Sequence, residues 1–326
     1  SRHRGRPTGM RSTFLLPLRC GPHATGSWTK QLAGALRTAA AVDPMSRVLW
    51  LMVGGLGSGT PQDSLTPDLI TLLASAYDCT PEEAPCLDVV PLAGAAGWEL
   101  EAAATQEGVT SLLLPPGEEE ATRLIREARQ QAGLAELPER AVVVGGGDAA
   151  PTASAEGAAA SSGASARGIS HERVAVGGTF DRLHAGHRLL LAVAALACSG
   201  TCYVGVTGDK LLANKANAHL LWPYERRVAA ATDFLRAVRP ALHVETSALL
   251  DPAAPPKAAT MESISALVIS RETAAGGAKV QQMRRDCGIA SPLALVLVDL
   301  IGAESQQSDA PKLSSSALRS RDAAGE

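Results

Sequence analysis

Gly177-Gly-Thr-Phe-Asp-Arg-Leu-His-Ala-Gly-His187 separates two apolar runs, Arg173-Val-Ala-Val176 before it and Leu189-Leu-Leu-Ala-Val-Ala-Ala-Leu-Ala197 after it. The first run is short and β-branched and reads as a strand; the second is long and alanine- and leucine-rich and reads as a helix. Glycines, a hydroxyl and two imidazoles therefore fall at the carboxyl end of a strand, where open α/β sheets hold their ligands. The helix that follows brings unpaired N–H groups and the positive end of its dipole to the same place. Either histidine alone would more often be a cap or a satisfied surface residue. In this strand–turn–helix setting the pair suits the handling of a phosphate.

Working outward, strands are expected at 174–178, 202–207, 242–246, 266–270 and 293–298. Helices are expected at 187–198, 223–238, 274–287 and from Ser315 onward, with Pro223 in the first turn that proline favours. The expected fold class is α/β, a Rossmann-like, five-stranded, mostly parallel sheet with helices on both faces. A second alternation occupies 46–147, with strands at 48–53, 87–92, 112–114 and 141–144 and helices at 67–77, 99–106 and 118–131. It predicts a smaller α/β domain whose role the residues do not assign. Its loop Gly54-Gly-Leu-Gly-Ser-Gly-Thr60 lacks a P-loop lysine and the downstream acid of a dinucleotide fingerprint, so it reads as a plain strand-to-helix turn.

Between the two alternations, 148–170 is a Gly/Ala/Ser run with too little apolar surface to pack, and it reads as a linker. Residues 1–45 look irregular. Arg2, Arg4, Arg6, Arg11 and Arg19 all precede the first acid, Asp43, a pattern also shared by organellar targeting segments. The expected organisation is thus 1–45 irregular or targeting, 46–147 small α/β domain, 148–170 linker and 171–326 phosphate-handling domain.

Composition narrows the class. Net charge is −3, and no basic patch interleaved with aromatics appears, so no nucleic-acid partner is expected. No apolar run reaches the ~18 residues of a membrane span, so no membrane partner is expected either. With aromatics at 3%, the cores must be built from Leu, Val, Ile and Ala. The six cysteines form no C-x-x-C pair and read as free thiols of a reducing compartment, hence a cytoplasmic location.

Further motifs fall at the same edge of the second sheet: Thr207-Gly-Asp-Lys210, Asn214-Lys215, Trp222-Pro-Tyr-Glu-Arg-Arg227, Ser270-Arg-Glu-Thr273 and Lys312-Leu-Ser-Ser-Ser316. Together they supply cations, hydroxyls and helix starts around one crevice. The 177–187 stretch resembles the HxGH signature of the nucleotidylyltransferase superfamily. Ser270-Arg-Glu-Thr273, Lys312-Leu-Ser-Ser-Ser316 and Leu249-Leu-Asp-Pro252 resemble the eukaryotic and archaeal pantetheine-phosphate adenylyltransferases. The resemblance covers about 173–321.

This resemblance implies adenylyl transfer from ATP to 4′-phosphopantetheine, giving dephospho-coenzyme A and pyrophosphate, with Mg²⁺ arriving on the nucleotide. It implies that Thr179 holds the attacking phosphate, Phe180 lines the pantetheine side, and His184 and His187 donate to the α- and β-phosphates. Gly178 and Gly186 would allow close approach of the triphosphate. Lys215, with Lys210 as its rival, would bridge the attacking and α-phosphates, contacting phosphopantetheine as well. Ser314, Ser315 and Ser316 would hold the β- and γ-phosphates, with Lys312 and Arg319 adding charge. Arg271 or Arg284 would stand in for the arginines that bacterial members carry after the fourth strand.

A cytidylyltransferase is the alternative, although the Arg-Thr-x-Gly-Ile-Ser-Thr-Thr signature usual in those relatives is absent. A non-catalytic scaffold is the other class considered, and retention of Thr179, both histidines and the serines weighs against it. For the N-terminal half a regulatory or partner-binding role is expected. No G-x-x-x-x-G-K-[ST] occurs, so the chain is expected to perform one step of coenzyme A synthesis without the phosphorylation that follows it.

Overall fold

The computed structural model describes residues 11–20, 28–53, 64–144, 168–299 and 315–324. In chain order the first elements are β1 (Thr13–Arg19), α1 (Trp28–Val42), β2 (Arg47–Val53), α2 (Pro67–Asp78), β3 (Asp88–Leu92), α3 (Leu100–Ala104), β4 (Ser111–Leu114), α4 (Glu119–Gln131) and β5 (Glu139–Ala141). They are followed by β6 (His171–Gly178), α5 (Ala185–Ala197), β7 (Cys198–Thr207), α6 (Tyr224–Val238), β8 (His243–Leu249), α7 (Lys257–Thr260), β9 (Ala266–Ser270), α8 (Ala274–Asp286), β10 (Ala294–Val298) and α9 (Ser315–Ala324). The chain divides into two compact units.

Unit 1 carries a five-stranded sheet in the order β3-β2-β1-β4-β5, every pairing parallel. Its central strand corrects the sequence expectation that 1–45 is irregular. Thr13–Arg19 is β1, buried from Phe14 to Leu18, and Trp28–Val42 is a full helix. Pro17 lies inside this strand, although a proline argues against a central strand. It is tolerated because β1 registers with β4 only at Phe14 and Leu15, so Pro17 lies beyond the part flanked by strands on both sides.

Unit 2 carries the sheet β10-β9-β6-β7-β8, again with every pairing parallel. The expected strands are all present, and β6, whose carboxyl end opens the histidine loop, is the central one. Successive residues of β6 and β9 are buried (Val174, Ala175 and Val176; Ala266, Leu267 and Val268), so both faces of the sheet are covered. One face packs Ala175, Tyr203, Leu267 and Ile269 against Ala258, Ile264 and Leu293.

Helix α5 buries residues on all sides, Leu189 and Leu191 to Ala197 among them, as a helix enclosed in a core must. It packs against the sheet, α6 and α2. Truncating Leu189 or Leu191 to alanine would cost about 2–5 kcal/mol. Gly57–Asp78 and Ala93–Gly97 also belong to unit 2, which places α2 with α5 rather than in the N-terminal domain where sequence order had put it. Leu69, Leu73, Ala76 and Tyr77 form the buried stripe of α2. No described helix is long and apolar enough to cross a membrane.

Candidate active site

The carboxyl end of β6 is held by two neighbours. Thr207 Oγ1 donates to the Gly178 carbonyl at 3.3 Å, and Arg227 Nη1 donates to the Thr179 carbonyl at 2.7 Å. The loop then turns through two non-glycine residues in the left-handed region, Phe180 (φ 53°) and Arg182 (φ 45°). Such conformations persist only where surrounding contacts over-determine them. Here the turn folds the Phe180 ring back over Gly178, where an added Cβ would stand 3.0 Å from the ring. The same ring lies 5.5 Å from His187, centroid to centroid.

His184 precedes the first turn of α5 and His187 lies within it. Their rings are 4.1 Å apart, and Gly186 leaves room for His184, whose Cε1 would be 3.2 Å from a Cβ there. The buried Nδ1 atoms of both rings have no hydrogen-bond partner in the protein. Burial first, and the neighbouring Arg188 charge second, depress the His184 pKa to about 4. His187 is held well below the ordinary imidazole range by burial, then by His184, Arg188 and Lys215. Both pKa values fall below the ordinary imidazole range, and His187 also hydrogen-bonds the backbone of Arg182. Arg188 is a positive neighbour of both rings and Lys215 of His187, while Asp181 acts on His184 with the opposite sign.

Two buried arginines organise the rest of this edge. Arg227 spans Thr179, the Trp222 carbonyl (Nε, 3.0 Å) and Asp209 Oδ1 (Nη2, 2.5 Å). Arg319, on α9, donates from Nη1 to Asp181 Oδ2 at 2.7 Å, from Nε to the Ala216 carbonyl at 3.1 Å and from Nη2 to Ser316 Oγ at 3.0 Å. Asp181 has no exposure and also accepts the Trp222 N–H (3.1 Å) and Arg182 Nη1 (3.2 Å). Ser315 Oγ donates to the Asp181 carbonyl at 2.8 Å, which seats the first turn of α9 on the histidine loop.

Residues 175–321 match the family model described as cytidylyltransferase-like. The chain is 37% identical over 145 residues to the phosphopantetheine adenylyltransferase of Saccharomyces cerevisiae, an alignment covering 44% of this chain and 47% of the yeast protein. It is 35% identical over 149 residues to the phosphopantetheine adenylyltransferase of Thermococcus kodakarensis, covering 46% of this chain and 85% of the archaeal one. The chain belongs to the phosphopantetheine adenylyltransferase family. The corresponding Pyrococcus abyssi protein is 33% identical, with 88% of its length and 45% of this chain covered. The chain spans about half the length of the yeast relatives it matches.

Within this adenylyltransferase-family unit the structure gathers Gly178, Thr179, His184, Gly186, His187, Ser315 and Ser316 at one edge of the sheet. Lys215 is exposed, and its charge reaches His187. Ser314 and Lys312 lie outside the described residues. Phe180, expected to line the pantetheine side, is fully buried against Gly178 and His187 and offers no free surface. Arg319 is no free source of charge, because its guanidinium is buried against Asp181.

Arg284 is ruled out as the substitute for the bacterial arginines. It is 2% exposed and donates to the carbonyls of Ala258, Met261, Glu262 and Ser291 and to Ser291 Oγ, bracing α7 against the approach to β10. Arg271 stands exposed at the end of β9, paired with Asp299. Sequence reading missed Asp181 and Arg227 as organisers. Their signal was the placement of charges inside motif loops, which chemistry alone assigns to ligand binding and packing assigns to scaffolding.

Proposed function

We propose that this chain transfers the adenylyl group of ATP to 4′-phosphopantetheine, releasing pyrophosphate and forming dephospho-coenzyme A. The observation that carries the reading is the His184–His187 ring pair with its two unpartnered Nδ1 atoms, set at the end of β6 beside the serines of α9. The substrate phosphate attacks the α-phosphorus in line, the bond to the pyrophosphate oxygen breaks, and no covalent enzyme intermediate forms. The protein's contribution is placement and electrostatic stabilisation of developing charge.

Thr179 holds the attacking phosphate. The two neutral imidazoles donate to the α- and β-phosphates, and Lys215 neutralises charge between the two reacting groups. Ser316, at the start of α9, presents its hydroxyl, and the first turn of that helix its N–H groups, to the β- and γ-phosphates, while the Ser315 hydroxyl stays on the Asp181 carbonyl.

In this reading magnesium arrives with the nucleotide. Asp181, the carboxylate of the histidine loop, is engaged on both oxygens by Arg182, Trp222 and Arg319. Among the described residues no group of three His, Cys, Asp or Glu could hold a metal.

The test is pyrophosphate release by the purified chain given ATP, Mg²⁺ and phosphopantetheine, with His187→Ala as control. A wild-type chain as silent as the control sinks the reading. The cytidylyltransferase-like match motivates one alternative, a nucleotidyl transfer from CTP. Turnover with CTP exceeding that with ATP would select it.

A further inference from the structure

Resting on that reading and deepening it, we propose that Arg319 is a positioning residue that sets three substrate-handling segments at once: the histidine loop, the lysine loop and the serine helix. Its three nitrogens reach Asp181 in the first, Ala216 next to Lys215 in the second, and Ser316 in the third. Both members of the Arg319–Asp181 pair have no exposure. A buried ion pair is weak as a source of stability, since apolar replacements of similar volume often serve as well, and its best-attested use is to specify one geometry.

The planar fork of a guanidinium can serve three acceptors in divergent directions at once, whereas an ammonium is a point charge on a flexible stem. Asp181 complements it from the other side. Its two oxygens take Arg319, Arg182 and the Trp222 N–H, while its carbonyl takes Ser315, so the pair has little freedom to shift. Losing the fork leaves His184 and His187 in place on α5 but frees Lys215 and the serines to sample positions away from them. A misplacement of about 1 Å in a group of this kind costs roughly 100-fold in rate.

The experiment is a double-mutant cycle on the full chain with wild type, Arg319→Lys, Lys215→Ala and the double variant, reading kcat, KM for ATP and melting temperature. Arg319→Lys is expected to lower kcat about 10–100-fold, with melting within a few degrees of wild type. Added to Lys215→Ala, it is expected to cost several-fold less than it does in the wild-type background, because the lysine it places is already gone and only its hold on the serine helix remains. Full multiplication of the two losses overturns the proposal, as does wild-type kcat in Arg319→Lys.

Should Arg319→Lys fail to fold, the near-isosteric Asp181→Asn weakens the same fork from its other end; it is expected to lower melting too, since Arg319 and Arg182 then face a neutral amide, and, assayed well below that melting point, to lower kcat by a similar factor. If wild type turns over no phosphopantetheine, the functional reading falls and the cycle is read on Mg·ATP affinity. There a loss of about tenfold for Arg319→Lys that shrinks several-fold in the Lys215→Ala background supports positioning. Equal loss in both backgrounds, or no ATP binding by any form, overturns it.

Discussion

The two units share one strand order, with the first strand of each at the centre and the second and fourth on either side of it. Their carboxyl edges differ in the groups they carry. In unit 2 the edge beyond β6 is lined by Arg188, Lys215 and two imidazoles that stay neutral. In unit 1 the end of β1 meets a carboxylate of its own: Glu118 accepts the Arg19 N–H at 2.7 Å and pairs with Arg19 Nε at 3.5 Å. Burial, and then Glu118, push the thiol of the adjoining Cys20 up to about 12. Burial likewise raises Glu118 itself. One topology thus carries, at one edge, two imidazoles beside Arg188 and Lys215 and, in its other copy, a carboxylate that already accepts the backbone donor. The sheet provides the location, and the loops decide what can bind there.

The sharpest break of this contrast is His187→Ala, which removes a preorganised donor and should lower kcat by about 10²–10³ with little change in fold. Glu118→Gln, made at the corresponding edge of unit 1, should leave turnover within about twofold. Equal losses would mean that unit 1 shares the chemistry. Next in size is the lysine comparison. Lys215→Ala should cost about 100-fold in kcat and Lys210→Ala less than about threefold, since Lys215 is the lysine whose charge reaches His187. A reversal of that ranking would move the bridging role to Lys210.

The units should also respond oppositely to acid. Between pH 6.5 and about 4 the unfolded chain protonates His184 while the folded chain does not, so unit 2 loses stability as pH falls through that window. The loss from His184 is on the order of 1–3 kcal/mol, and His184→Asn should reduce the acid slope in thermal unfolding followed against pH, His187 supplying the remainder. Glu118 has the reverse sign. Its raised folded pKa means that the native state takes the proton first, so unit 1 gains stability as pH falls from above that raised value toward the ordinary 4.5. Glu118→Gln should remove this gain, and an unchanged acid slope in either variant would contradict the assigned cause. The smallest effect is expected for Arg271→Ala. Exposed and paired with Asp299, Arg271 should alter KM for ATP by less than about fivefold.

Much of unit 2 was legible because its signals are local. Apolar runs at the right lengths marked β6 to β10, and the histidine loop declared its chemistry within eleven residues, 177–187. Unit 1 was legible from β2 onward. Its central strand was not, because Pro17 speaks against a strand until the short reach of β4 is known. The assignment of α2 to unit 2 was equally hidden, since a buried stripe of Leu69, Leu73 and Ala76 does not say which sheet it will cover.

Residue types and their spacing were enough to show a phosphate-handling strand–turn–helix, which side chains it carries, and that five later motifs belong to the same sheet edge. Periodicity and loop chemistry are properties of neighbours along the chain. Folding determined which charged groups remain for a ligand. Arg271 is exposed, Arg284 is consumed in bracing α7, Arg227 holds Thr179, and Arg319 pairs with an aspartate 138 positions earlier. A guanidinium's role depends on which acceptors surround it once water has been excluded, and those acceptors come from segments that only packing brings together.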